Sequence, residues 1–167
     1  MGNCFNSIES LKDQNNEIPF FDLKGNTYDV KVVDVYDGDT CTVVFKLGNK
    51  FTKFKVRCLG YDSPEMKPSK DIKDREKLID LAYIARNYFI LRSTNCELDI
   101  KKHHNKHEIL ELIDSNTKII KLKSHGWDKY GRLLGEFFVD NVNLNEEMIS
   151  KNHGYKYDGG TKKESIL

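Results

Sequence analysis

Three short clusters gather the reactive side chains of this sequence: Asp37-Gly38-Asp39-Thr40, then Arg57 followed by Asp62-Ser63-Pro64-Glu65, then Asp128-Lys129-Tyr130-Gly131-Arg132. Taken singly, each has a bland reading as a turn, a proline-containing loop or a solvated charge run. Asp-Gly between two apolar runs is a strong hairpin signal, because Gly accepts φ > 0 and Asp tolerates it better than most residues. Taken together, the clusters supply the parts of metal-assisted phosphodiester cleavage. Carboxylates and main-chain carbonyls suit a hard cation such as Ca²⁺. Guanidinium groups meet two phosphate oxygens at once and offset the charge that builds up as a nucleophile adds. A spare carboxylate takes a proton from water.

The elements that must position these clusters follow from periodicity. VKVVDVY and TCTVVFKL are rich in β-branched residues and flank the Asp-Gly turn; GNK at 48–50 is a second turn, leading into FTKFKVRCL. In that third strand Phe54, Val56 and Cys58 alternate with Lys53, Lys55 and Arg57, so Arg57 points away from the Phe54/Val56 face. Two prolines in DSPEMKPS break the pattern, and Leu78, Leu81, Ala82, Ala85, Tyr88 and Phe89 mark a helix over 71–93 with a core-facing stripe. Strands are expected at 118–124 and 131–139, a turn at Asp140-Asn141, and a helix N-capped by Asn143 with Glu146 three residues on, which Gly154 is placed to help end. Pattern supports an α+β chain, and the element order fits a five-stranded OB-fold β-barrel with two to three packed helices.

Other segments read differently. Residues 1–28 are polar and Asn-rich, a flexible segment whose apolar knot Ile18-Pro19-Phe20-Phe21 is expected against the outside of the domain. Residues 94–117 include a short helix at 109–113, and His103, His104 and His107 lie among lysines, an exposed polar loop rather than a metal site. Residues 158–167 form a loose polar tail. The 27 Lys and Arg nearly balance 26 Asp and Glu, so net charge does not favour a nucleic-acid partner, although a local basic cleft stays open. Four scattered cysteines make no zinc spacing and no disulfide framework. No stretch approaches membrane-spanning length and the start has no apolar signal region, which points to an intracellular protein that is not secreted; a monomer is expected, although nothing in the sequence speaks to oligomeric state. Gly2 and Cys4 allow myristoylation and palmitoylation, hence a membrane tether; Asn6 departs from the usual Ser or Thr, and an ordinary polar start is the other reading.

The text DGDT, RCLGYDSPE, DKYGR and VNLNEEMI, in that order, resembles the staphylococcal-nuclease (thermonuclease-like) family over residues 29–157. The resemblance implies Asp39 and Asp62 as direct Ca²⁺ ligands, with the Ser63 main-chain carbonyl as a third. It implies Arg57 and Arg132 as phosphate-gripping catalytic residues and Glu65 as general base or water-orienting group. Lys129, Tyr130 and Tyr157 resemble residues lining the family's nucleotide pocket. DGDT is then both a turn and a metal loop, with Gly38 making the bend and Asp37 acting through a water or only shaping the turn. The activity implied is hydrolysis of DNA and/or RNA to 3′-phosphate and 5′-hydroxyl ends. Two features depart from the family: the MGNC start, and the long 94–117 connection, which reads as an insertion.

Two other classes compete. One is a catalytically silent OB-type module that binds nucleic acid or protein; in such copies the carboxylates or arginines are usually lost, whereas Asp39, Arg57, Asp62, Glu65 and Arg132 are all present here. The other is a membrane-associated scaffold resting on Gly2 and Cys4.

Overall fold

The computed structural model describes residues 11–160, so Gly2, Cys4 and the tail beyond residue 160 lie outside the described residues. Strands β1 (Thr27–Val35), β2 (Thr40–Leu47) and β3 (Lys50–Cys58) form an antiparallel meander. β1 also pairs with β5 (Ile119–Trp127), β5 with β6 (Leu133–Val139), and β6 returns to β3 in parallel, with Arg57 opposite Leu134. Five strands therefore close into the OB-like α+β barrel that the element order suggests, although β6 pairs only with the Val56–Cys58 end of β3.

Closure demands a close approach at Gly135. A Cβ built there would lie 2.3 Å from Leu122 Cδ1 and 3.2 Å from Val56 Cγ1, so this glycine serves packing between strands. The inner face is apolar, with Val30, Val43, Val56, Leu122, Leu133 and Phe137 all fully buried. On β3 the alternation holds up to Lys55. It ends at Val56–Cys58, where all three residues are buried because β2 and β6 flank the strand there.

Helix α1 (Arg75–Ser93) begins four residues later than the 71–93 pattern, because Asp74 adopts a left-handed conformation (φ 60°) that a helix cannot continue through. Its Ala82, Ala85 and Phe89 are buried as expected, Leu78, Leu81 and Tyr88 are half-buried, and Phe89 meets Phe137 edge-on at 5.5 Å. After β6, Asp140 and Asn141 both take positive φ, the requirement of a two-residue hairpin turn into β7 (Val142–Asn143). Helix α3 (Leu144–Ser150) is capped by the Asn143 side chain, which accepts from the Asn145 and Glu146 amides; such a cap contributes about 1 kcal/mol. Its end is made by Asn152 (φ 59°), with the His153 amide bonded to the Met148 carbonyl at 2.8 Å. Gly154 does not terminate the helix. It lets the chain pass Tyr61, whose Cδ2 would lie 2.6 Å from a Cβ there, on the way to β8 (Tyr155–Lys156), which pairs with β4 (Tyr61–Asp62).

The 94–117 connection is not an exposed polar loop. Helix α2 (Lys106–Ser115) carries a full capping box between Asn105 and Glu108, and it buries Ile109 and Ile113 completely. The segment before it is held by two buried α1 residues. Asn87 donates to the Ile100 and Lys102 carbonyls, and Arg86 donates to the His104 carbonyl at 2.8 Å. His104 is consequently only 7% exposed, while His103 stacks on Tyr83 and His107 stays at the surface.

The Ile18-Pro19-Phe20-Phe21 knot does not pack on the domain: Phe20 is fully exposed, and Ile18 and Phe21 are mostly so. Leu23 enters the core instead, and the end of this N-terminal segment is held on β5 by two backbone bonds, from the Gly25 amide to the Ser124 carbonyl and from the Ser124 amide to the Asn26 carbonyl. No helix among the described residues is long and apolar enough to cross a membrane.

Candidate active site

The Asp37–Asp39 loop joins β1 to β2 under two constraints. The Tyr36 amide bonds back to the Thr40 carbonyl at 2.9 Å, and the Asp37 carboxylate accepts the Asp39 amide at 3.1 Å. Asp37 thus shapes the turn. Gly38 is needed here for space rather than for a left-handed bend, since its φ is not positive. A Cβ would lie 2.8 Å from Ser63 Cβ and 2.9 Å from Ala85 Cβ, and the Gly38 carbonyl accepts the Tyr61 hydroxyl at 2.6 Å. The loop is clamped between the Ser63 loop and α1, which fixes where Asp39 sits.

Arg57 stands opposite Thr40 on β3, and its guanidinium joins the first two clusters. Nη1 pairs with Asp39 Oδ1 at 2.8 Å and Nη2 with Asp62 Oδ1. The remaining carboxylate oxygens are also engaged. Asp39 Oδ2 accepts the Ser63 amide at 2.6 Å, and Asp62 Oδ2 accepts the Tyr155 hydroxyl at 2.8 Å. All three charged side chains are no more than a tenth exposed. Burial works against the Arg57 charge, but Asp39 and Asp62 outweigh it and hold the guanidinium above its ordinary pKa. Burial pushes Asp39 up despite the pull of Arg57, and burial together with the Asp39 charge pushes Asp37 up to about 7. The knot therefore gathers more acid than one guanidinium neutralises.

The third cluster is a tight turn entering β6. Asp128 accepts the Tyr130 and Arg132 amides at 2.9 and 2.8 Å and the Arg132 Nε at 2.7 Å, while Gly131 takes φ 77°. Burial would raise Asp128, but these bonds outweigh it and hold its carboxyl below the usual range. The same bonds fix the Arg132 stem. Its guanidinium and the Lys129 ammonium both approach the Tyr130 ring, at 5.6 and 5.1 Å from the centroid.

Asp39, Arg57, Glu65, Lys129, Tyr130, Arg132 and Tyr157 all line one cleft of about 1150 Å³. Asp62 and Ser63 do not line it; they lie beneath, 2% and 4% exposed, and meet it through Arg57 and Asp39. Glu65 is exposed on the rim. Asp158, Gly159 and Gly160 also contribute to the wall, with the Tyr157 hydroxyl bonded to the Gly160 carbonyl at 2.6 Å, so the tail is not loose at its start.

Sequence reasoning missed two contributors. Asp128 belongs to the third cluster but received no role, although an acid four residues before an arginine at a strand entry is the signal for such a turn. Tyr155 contacts Asp62 across 93 residues, where the short β4–β8 pairing brings them together.

The donor set bears on which cation would fit. Among the described residues no group of three or more His, Cys, Asp or Glu side chains is placed to hold a metal. Asp39 and Asp62, brought to one guanidinium, offer two carboxylates and only oxygen donors. That set suits a hard ion which completes its shell from main-chain carbonyls, water and substrate, as Ca²⁺ does, rather than a softer ion that prefers nitrogen or sulfur. No protein-family model matches the chain, and no curated protein matches it.

Proposed function

We propose that this chain is a calcium-dependent nuclease that hydrolyses phosphodiester bonds of DNA and/or RNA and leaves 3′-phosphate and 5′-hydroxyl ends. One observation carries the proposal. Asp39 and Arg57 of the buried Asp39–Arg57–Asp62 knot line the same cleft as Arg132, Glu65, Lys129, Tyr130 and Tyr157, with Asp62 directly beneath. Two arginines, a rim carboxylate and an oxygen-only acidic floor are the groups that phosphodiester hydrolysis uses.

Asp39 and Asp62 are the side chains that would hold Ca²⁺, with the Ser63 carbonyl as a further ligand. A Ca²⁺ held there would supply Lewis-acid polarisation of the phosphoryl oxygen and charge neutralisation. Arg132, its stem fixed by Asp128, presents its fork to the phosphate oxygens. Arg57 serves the same group once its carboxylate partners are balanced by another positive charge. Removing one such preorganised donor typically costs about 10²–10³ in rate. Glu65, on the solvent side of the cleft, takes the proton from the attacking water, whose oxygen forms the new P–O bond as the bond to the 5′-oxygen breaks and that oxygen takes up a proton from solvent to become the 5′-hydroxyl. Lys129 offsets substrate charge, and Tyr130 and Tyr157 offer ring faces to the bases, each stack being worth about 1–3 kcal/mol.

The test is a cleavage assay on single-stranded DNA and RNA, with Ca²⁺ and with a calcium chelator, using wild type, Glu65→Gln and Arg132→Ala. Calcium-dependent cutting that falls about 10²-fold or more in both variants supports the proposal. Retention of substrate without cutting under either condition would make the chain a binding module instead.

A further inference from the structure

The β2–β3 hairpin carries a second feature that the cleft chemistry does not use. Antiparallel pairing sets Thr40 opposite Arg57, Thr42 opposite Lys55, Val44 opposite Lys53 and Lys46 opposite Phe51, all on one face. Lys46, Lys53 and Lys55 are exposed, and Phe51 is 80% exposed. The inner end of this row, Arg57 and Lys55, lines the cleft, while Lys53 and Phe51 lie beyond it.

The one carboxylate in register with this row among the described residues is Asp34 of β1, opposite Thr42 at the cleft end, and it forms no ion pair with Lys55. On β5 and beside it three lysines are paired, Lys121 with Asp29 at 3.0 Å, Lys123 with Glu136 at 3.8 Å and Lys118 with Asp140 at 2.8 Å, whereas Lys31 of β1, which stands opposite Val44 beside this row, forms no ion pair with a described residue. Among the described residues, no carboxylate forms an ion pair with Lys46, Lys53 or Lys55. Lys46, Lys53 and Lys55 thus stand in line along one hairpin face that opens from the cleft.

We propose that this face is an extended track for a single-stranded nucleic acid whose scissile bond sits in the cleft. This deepens the nuclease reading for the cleft. A strand advances ~3.4 Å per residue, so Lys55 and Lys53 stand ~7 Å apart on the face and Phe51 lies ~20 Å from Arg57. That length accommodates several nucleotides beyond the cleft. The lysines meet successive phosphates without reading sequence, and the exposed Phe51 ring offers a base a stacking surface at the far end. Continuity with the cleft favours a nucleic acid over an anionic membrane, because a membrane would touch only the outer lysines and Phe51.

The test measures binding rather than cutting. Fluorescence anisotropy in a calcium chelator would compare labelled 4-mers and 12-mers of single-stranded DNA and of RNA, over a salt series, for wild type, Lys46→Ala/Lys53→Ala and Phe51→Ala. These are exposed positions, and circular dichroism checks that the variants fold. Wild type should bind the 12-mer at least ~10-fold more tightly than the 4-mer. The double variant should lose most of that gain, and its salt slope should fall by about 1.4, at about 0.7 for each phosphate left without its lysine. The Phe51 variant should lose ~5-fold or more on the 12-mer, as one base stack implies. An unchanged length gain in both variants overturns the proposal, as does loss confined to binding of phosphatidylserine vesicles. A protein that shows the track behaviour but never cuts keeps the track and loses the nuclease reading; one that cuts with no length gain does the reverse.

Discussion

Two arginine–carboxylate clusters in this molecule solve different problems. On the helical side, Arg92 of α1 forks onto Glu147 of α3 at 2.7 and 3.0 Å, and Tyr88 donates to the same carboxylate at 2.5 Å. One charge meets one charge, a hydroxyl completes the set, and the cluster is partly solvated. At the cleft, Arg57 faces two carboxylates with Asp37 close behind, and all are buried. The first arrangement is complete as a tie between two helices. The second carries surplus negative charge at the floor of an opening, which low-dielectric surroundings make expensive unless a further positive charge arrives. A closed tie is structure; an unbalanced knot beneath a cleft is what the proposed calcium would balance.

The largest effect expected from breaking this contrast comes from Arg57→Ala. It leaves two buried carboxylates without their cation, so urea unfolding should show a loss of about 3–5 kcal/mol, and cleavage should fall about 10²–10³-fold. Arg132→Ala should separate the two consequences. Its guanidinium is partly exposed, so cleavage drops about 10²-fold while stability changes by no more than about 1 kcal/mol. Glu147→Gln should show the opposite pattern: stability falls by about 1 kcal/mol in the same urea experiment, and cleavage is unchanged, because the Arg92 tie lies outside the cleft.

The smallest effect is one of pH. Bonding to Arg92 holds Glu147 below its ordinary value of 4.5, although burial opposes it. The folded carboxyl therefore binds fewer protons than the unfolded one in the acid range. The stability it contributes is present above about 4.5 and is lost as pH falls through the lower, folded value. Unfolding midpoints measured below pH 5 should fall less steeply in Glu147→Gln than in wild type.

How far the sequence foretold this molecule depends on the range of each cause. The hairpin strands, the Asp140-Asn141 turn and the Asn143 cap rest on residues within four positions of one another, and all stand in the structure. Arg57 was legible as a residue facing away from Phe54 and Val56, because strand alternation is local. What was not legible depends on distant partners. Gly38 is required by Ser63 and Ala85, and Gly154 by Tyr61. The 94–117 connection looks polar yet is ordered, because Arg86 and Asn87 donate to its carbonyls from another helix. Phe20 and Phe21 are apolar but exposed, while Leu23 takes the core position. Composition does not predict which neighbour wins such a contest.

The most direct test of the cation seat is thermal unfolding across a calcium titration, for wild type and for Asp62→Asn. Asp62 lies beneath the cleft and touches Arg57 and Tyr155. Binding to the folded state alone stabilises it by about 2.7 kcal/mol at a hundred times the dissociation constant, a clear rise in melting temperature. The account predicts that rise in wild type, with Mg²⁺ less effective, and its near-loss in the variant. A wild-type melting temperature that does not move with calcium, or one that moves equally in Asp62→Asn, would contradict it.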